Sequence, residues 1–217
     1  MKNKGLIGTL IVLVVLVVGS MLYDQTKSDS HRNEKVKIGI LQYVTHEALD
    51  EIERGIEDGL ADAGYDKSNA DITVLNAEGD QSKIQTMSKQ LVNAKSDVLV
   101  GIATPAAQGL ASATSDIPVV MGAISDPVGA KLVKNLGKPN SNVTGVSNQV
   151  PLKQTVELIQ SITPNAKTIG VLYASSEDNS VSQVAQFKEY AKSAGINVVE
   201  YAVPSTNEIT TTMSVMT

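Results

Sequence analysis

The chain has 217 residues, a formal net charge of −5 and no cysteine, so disulfides, thiol catalysis and cysteine-based zinc sites are excluded. Removing the first 24 residues, which carry Lys2, Lys4 and Asp24, leaves −5 − (+1) = −6 for the rest, a charge that repels nucleic acid. Only two histidines are present, His31 and His46, and they lie on separate segments, which speaks against a zinc enzyme and leaves no metal site to assign.

An apolar run opens the chain. Gly5 to Tyr23 carries no charge and includes the unbroken stretch Leu10 to Val18. Its 19 residues, at about 1.5 Å each in a helix, match the hydrocarbon thickness of a bilayer. Lys2 and Lys4 precede the run and Asp24 follows it, which places the N-terminus inside and the body outside the membrane. Two readings stand: a retained transmembrane anchor, or a cleaved signal segment with Val18-Gly19-Ser20 before the cut. The length of the run favours the anchor, and either way the body is exported to the outer face of the cell membrane. Residues 1–24 are thus assigned to the membrane segment and 25–35 to a polar linker, in which His31 is simply solvated.

From Val36 onward, strand and helix patterns alternate. Val36–Leu41 is a β-rich run. Leu49, Ile52, Ile56, Leu60 and Ala63 then recur at helical spacing and stop at Gly64. Ile72–Leu75 is the second strand, and Ser82 with Gln85 reads as a capping box that opens a helix bearing Ile84, Met87 and Leu91. Val98–Ile102 is an uninterrupted apolar strand, as expected when both sheet faces are covered. Thr104-Pro105 opens a third helix, with the hydroxyl as N-cap and proline in the first helical position. Ile117–Met121 and Asn142–Val146 close the series.

The pattern then restarts. A helix covers Leu152–Ile162, a strand Thr168–Leu172, a helix Ser180–Ser193 and a strand Asn197–Ala202, and Ser205 with Glu208 forms a last capping box. This alternation predicts an α/β fold with a doubly wound parallel sheet. Residues 36–146 read as a complete first domain and 147–217 as a partial second one, so the expectation is a two-domain clamshell whose second domain is incomplete.

Ligands of such sheets bind beyond the carboxyl ends of the strands. That rule selects Gln42–His46, Ala103–Ala107, Ala123–Gly129, Ala174–Ser180 and Pro204–Thr206. Thr104 is either a plain helix cap or, with the N–H groups of Ala106 and Ala107, a carboxylate site. Asp126 before Pro127 is either a turn former or the partner of an ammonium. Tyr43 and Tyr173 either stack on a ring or pack, and His46 reads as a surface or capping residue before it reads as a ligand group.

Signatures of catalysis are missing. Gly39 stands alone without a Gly-x-Gly-x-x-Gly pattern, and no Gly-x-x-x-x-Gly-Lys loop occurs. A Ser125, His46 and Asp126 triad lacks the Gly-x-Ser-x-Gly elbow. The expectation is a binding protein without cofactor, not an enzyme.

Several ordered blocks carry a family resemblance. They are Ile40–Asp50 (ILQYVTHEALD), Asn76–Asp80 (NAEGD), Ile102–Gln108 (IATPAAQ), Ser125–Ala130 (SDPVGA), Asn142–Ser147 (NVTGVS) and Pro164–Tyr173 (PNAKTIGVLY). In these the sequence resembles the tryptophan/tyrosine-type substrate-binding proteins of ABC transporters, which have the periplasmic-binding-protein type 1 fold. The resemblance implies a clamshell that closes on a small ligand outside the cell, an amino acid with tryptophan or tyrosine in view. It also implies an ABC permease and ATPase as partners, the membrane being reached through the N-terminal helix. Members often carry a lipid-modified cysteine, which is absent here, and they run roughly a hundred residues further, so a C-terminally truncated chain is expected. The ligand-binding residues expected on this basis are Gln42, Tyr43, His46, Thr104, Pro105, Ala106, Ser125, Asp126, Ser147, Asn148, Asn179 and Ser180. Among them, Thr104 and the amides that follow take the carboxylate and Asp126 takes the ammonium. Gln42, Tyr43 and His46 shape the side-chain pocket, Ser147 and Asn148 sit near the crossover, and Asn179 and Ser180 form the opposite lip. The alternative is the extracellular ligand-sensing domain of a membrane signalling receptor. A ligand-sensing repressor is disfavoured by the membrane segment.

Overall fold

The structure, a computed structural model, describes residues 35–216. The expected anchor, most of the linker and His31 lie outside the described residues. Within them no helix is long and apolar enough to cross a membrane.

Five strands form the first sheet: β1 (Val36–Gln42), β2 (Ala70–Asn76), β3 (Val98–Ile102), β4 (Val119–Ile124) and β5 (Val143–Ser147). Their order is β2-β1-β3-β4-β5 and every neighbouring pair is parallel. This is the doubly wound 2-1-3-4-5 order, whose switch point lies between β1 and β3. Three helices serve this sheet: α1 (Glu47–Asp62), α2 (Gln81–Asn93) and α3 (Thr104–Ala113).

Alternation along each strand sorts the core onto two faces. Leu41, Leu99, Met121 and Val143 point to one face, where Ile84 and Leu91 of α2 and Ala106, Ala107 and Leu110 of α3 cover them. Ile38, Ile40, Val100 and Ile102 point to the other, against Leu49, Ile52, Ile56 and Leu60 of α1. The helical spacing read from the sequence is therefore the packing face of α1. That cover is partial, since α1 has no fully buried residue. An apolar groove of about 660 Å³ remains along α1, β3 and β4, reaching Val146, which is 70% exposed.

The chain leaves the first sheet once among the described residues, through residues 148–151. It continues as α4 (Leu152–Ile162), β6 (Thr168–Ala174), α5 (Asp178–Ser193) and β7 (Asn197–Val203). A short 3-10 turn (Thr206–Glu208) leads into α6 (Ile209–Met213). β6 and β7 are parallel and form a separate two-stranded sheet. Val156, Phe187, Ala191 and Ile196 make a small core against it. Two strands are too few for a sheet that stands by itself, so this lobe depends on its helices.

Helix starts differ from the sequence reading in four places, one of them α5, which begins at Asp178 rather than Ser180. The N-cap of α2 is Asp80, whose Oδ1 accepts from Ser82 N at 2.7 Å and Lys83 N at 3.0 Å, so the cap lies two residues before the expected Ser82. A carboxylate serves here because it can accept two first-turn donors at once. The N-cap of α3 is Ala103, with Thr104 the first helical residue. Ser205 caps nothing through its side chain, and α6 starts after Glu208 without a side-chain cap. The fourth strand also begins two residues later than expected, at Val119 rather than Ile117, because Pro118 cannot donate to the ladder.

α3 lies tight against β3. A Cβ on Gly101 would stand 2.5 Å from the Cα of Ala107 and 2.7 Å from its nitrogen. Gly101→Ala is expected to lower the unfolding free energy by about 1–3 kcal/mol, read from the urea midpoint. Gly55→Ala, on α1 with nothing within 4 Å of its added methyl, should instead gain about 0.5–1 kcal/mol from helix propensity.

Candidate functional site

Parallel strands deliver their carboxyl-end loops to one edge. The loop after β1 is pinned to the end of β2: Gly79 N donates to Tyr43 O at 2.8 Å, and Asn76 Nδ2 donates to Thr45 Oγ1 at 3.1 Å. The loop after β4 is held from within. Gly129 N donates to Asp126 Oδ1 at 2.8 Å, while Pro127, Ala130, Leu132 and Val133 are buried. Gln108 of α3 ties that loop to the helix by donating to Ala130 O at 3.0 Å. These loops form a rigid rim.

The junction of β3 and α3 is strained. Ala103 has φ 71° and ψ 158°, a region used almost only by glycine and worth about 1–3 kcal/mol of strain. The strain follows from the tight seat at Gly101, because the chain must reverse between Ile102 and Thr104. It leaves the start of α3 without a side-chain cap. Ala107 N donates to Ala103 O at 3.2 Å, so its amide is not free, contrary to the expectation that it joins an anion site. Pro105 has no N–H, which leaves the amides of Thr104 and Ala106 as the first-turn donors. Thr104, Pro105 and Ala106 are all buried.

The second lobe faces this rim with the first turns of α5, and among the described residues three hydrogen bonds cross between them. Tyr43 Oη donates to Glu177 Oε1 at 3.3 Å. Gln108 Nε2 donates to Asp178 Oδ2 at 3.0 Å. Ser182 Oγ donates to Asp126 Oδ2 at 2.6 Å. Burial and the Glu177 carboxylate push the Tyr43 phenol up to about 12, from its usual 10.0. Beside these bonds lies a cavity of about 210 Å³, shared by Ser125 and Asp126, the segment from Gln149 to Gln154, and Gln183, Gln186 and Tyr190 of α5.

The remaining expected residues divide. Gln42 is 1% exposed and donates to Val44 O at 3.0 Å and Asp50 Oδ1 at 2.7 Å, yet its Oε1 is buried without a partner. Asn179, on the opposite lip, also buries an Oδ1 without a partner. Ser180 lines an open cavity with Tyr173, Glu177 and Phe187. Tyr173 Oη donates to Glu200 Oε2 at 3.1 Å. His46 is exposed and caps α1, its Nδ1 accepting from Ala48 N at 3.2 Å, which is its capping reading. Asn148 lines the apolar groove under α1, and Ser147, at the end of β5, is half-buried. Gln108, Glu177, Asp178 and Ser182 were not expected. Gln108 stands one helical turn beyond Thr104, and Glu177-Asp178 is an acidic pair at a helix start, so the signals were present. What the sequence lacked was the pairing between lobes. Among the described residues no cluster of metal-ligating side chains occurs.

Residues 37–217 match the family model of the ABC transporter substrate binding protein. The chain belongs to that family. It is 40% identical over 197 residues to a tyrosine-binding protein of Clostridioides difficile (strain R20291), an alignment covering 90% of this chain and 57% of the relative. A crystal structure from Streptococcus pneumoniae, an ABC domain in complex with L-Trp, is 61% identical with a TM-score of 0.82, covering 84% of this chain and 62% of that one. The ligand-free, open structure of a substrate-binding protein with adhesive properties from Clostridium difficile is 42% identical with a TM-score of 0.61, covering 83% and 61%. The chain therefore spans about three fifths of the length of these relatives. Its α/β architecture is the periplasmic-binding-protein type 1 fold.

Two outcomes test the site's physics. Ala103→Gly is expected to raise the unfolding free energy by about 1 kcal/mol in urea denaturation, because relief of strain exceeds the entropic cost of glycine. The raised Tyr43 value means its protonated form is favoured in the folded state. Its stabilising contribution is full below pH 10 and is lost as pH rises through about 12. Tyr43→Phe should flatten that alkaline decline in urea midpoints measured against pH.

Proposed function

We propose that this chain is the extracytoplasmic solute-binding component of an ABC importer, holding an amino acid between two lobes that close about the crossover at residues 148–151. One observation carries the reading. Each lobe buries a side-chain carbonyl oxygen without a partner, Gln42 Oε1 at the end of β1 and Asn179 Oδ1 at the start of α5. A buried acceptor left unpaired costs about 1–3 kcal/mol, which an ammonium or amide donor offsets.

The amides of Thr104 and Ala106, with the Thr104 hydroxyl, supply donors for a carboxylate at the start of α3. Asp126 keeps acceptor capacity beyond its bonds to Gly129 and Ser182, since a carboxylate offers about four lone-pair directions. With Glu177 and Asp178 it gives the cleft a negative lining suited to an ammonium. Tyr43 lies between the lobes, where a planar side chain can pack on it. The relatives that are tyrosine-binding or in complex with L-Trp support an aromatic amino acid as the ligand.

Nothing in this arrangement transfers a bond. The protein binds and releases its ligand unchanged, needs no cofactor, and passes the ligand to a permease driven by its ATPase. Family membership supports this role over that of a receptor's sensor domain. The uncharged run Gly5–Tyr23 supports retention at the cell membrane with the body outside. Residues 36–146 would then form the first domain, and residues 147–217 would belong to a second.

Thermal unfolding with L-tryptophan and L-tyrosine tests the reading. At a hundredfold excess over Kd the expected stabilisation is about 2.7 kcal/mol. Thr104→Ala and Asp126→Asn should each weaken binding by about tenfold or more, the worth of a hydrogen bond to a charged group. Undiminished affinity in both variants overturns the site, and the absence of a shift with every amino acid overturns the ligand class.

A further inference from the structure

We propose that the loop between β4 and β5 is a docking surface for an anionic lipid bilayer, with Lys131, Lys134 and Lys138 meeting the headgroups and Leu136 entering the interface. Charge is unevenly spread along the chain. Residues 127–156 hold Lys131, Lys134, Lys138 and Lys153 and no aspartate or glutamate, a local +4, while the rest of the chain carries −5 − (+4) = −9. The overall negative sign does not decide the matter, because the field of exposed charges fades over about 10 Å at ordinary salt. A surface responds to the side that lies against it.

The loop is held so that it presents these groups. Leu132 and Val133 are buried in the core, and Leu132 N donates to Pro127 O at 3.0 Å. Lys138 N donates to Asn135 Oδ1 at 2.6 Å, and Gln108 of α3 holds Ala130. On this frame Lys131, Lys134 and Lys138 are all exposed. Lys153 stands 3.8 Å from Glu157, so the three lysines of the loop carry the surface. Leu136 lies between Lys134 and Lys138 and is 59% exposed, and Val128 at the head of the loop is 45% exposed. The loop leads into β5, which is an edge strand of its sheet.

The kind of residue favours lipid over protein as the partner. Every cation of this stretch is lysine, and the stretch holds no arginine and no aromatic residue. Protein interfaces prefer arginine and aromatic anchors and are depleted in lysine, whose point charge on a flexible stem suits a fluid layer of headgroups. An aliphatic side chain among lysines fits the boundary where headgroups give way to acyl chains. Each lysine near an anionic bilayer is worth about fivefold in partition, so three give roughly a hundredfold. That is weak for a free protein and ample for one already held close by. The nearness of a bilayer rests on the membrane retention proposed above, whereas the preference of the loop for anionic lipid does not.

The absence of native cysteine allows one fluorophore to be placed on the full chain. The loop label goes on Gly137→Cys, where an added Cβ meets only Asn135 Oδ1 at 3.9 Å. The control label goes on Thr73→Cys, exposed on β2 at the other edge of the sheet. In nanodiscs of phosphatidylcholine and phosphatidylglycerol in equal parts, lipid with a nitroxide headgroup should quench the loop label at least about threefold more than the control, and high salt should remove the difference. Discs of phosphatidylcholine alone should show none. Joint reversal by Lys131→Glu, Lys134→Glu and Lys138→Glu should abolish the excess quenching with circular dichroism unchanged. Lys134→Glu alone, at an exposed site, should weaken it by about fivefold or more and keeps the test decisive if the triple variant fails to fold. Equal quenching of the two labels, the same excess without phosphatidylglycerol, or an undiminished excess in either folded variant overturns the docking. Proximity that appears only in membranes containing a permease assigns the loop to a protein and overturns it as well. If the discs do not retain the chain, the anchor fails, and flotation of the same chain with vesicles of the two compositions decides the docking. A preference of roughly a hundredfold for the anionic vesicles is then expected, and no preference overturns it.

Discussion

Every strand pairs in parallel with its neighbours, and much of the protein follows from that constraint. A parallel pair needs a crossover of a dozen or more residues, which the helices provide. Crossovers return each strand to the same starting edge, so the loops that follow the strands collect on the other. Gln42, Thr104 and Asp126 are distant in sequence yet share that rim for this reason. The second lobe obeys the same rule, so its first loop and the start of α5 look back at the rim of the first.

Rigidity and strain concentrate where that rim is built. Gly101 lets α3 sit directly on β3, and the sharp reversal then forces Ala103 into a backbone region that glycine prefers. The compact seat and the uncapped start of α3 are two results of one packing decision. A binding site that must meet its ligand in one geometry gains from such a frame, because little freedom remains to be lost on binding. The opposite lip is less supported, with a two-stranded sheet and a small core. A stiff rim thus faces a lighter lip, and a single short connection joins them among the described residues.

The covered and uncovered faces of the first sheet make the same point about sequence. The even positions Ile38 and Ile40 and the helical series Leu49, Ile52, Ile56 and Leu60 were readable as apolar stripes, and they do pack on each other. Nothing in those stripes said that α1 would cover only part of its face and leave Val146 exposed. Helix starts were legible only to within two residues. Asp80 and Ser82 are both good caps, and the choice between them depends on which carboxylate or hydroxyl reaches the free amides.

The sequence by itself determined the order and kind of the elements, the absence of cysteine, and the strand-end loops that the sheet gathers on one edge. Those properties follow from local periodicity and residue type, which a chain carries whether folded or not. Tertiary structure alone decided that Tyr43 meets Glu177, Gln108 meets Asp178 and Asp126 meets Ser182. These partners are 134, 70 and 56 residues apart. No local pattern encodes such a pairing, because it depends on the rotation of one lobe against the other, and that rotation is set by the whole of both.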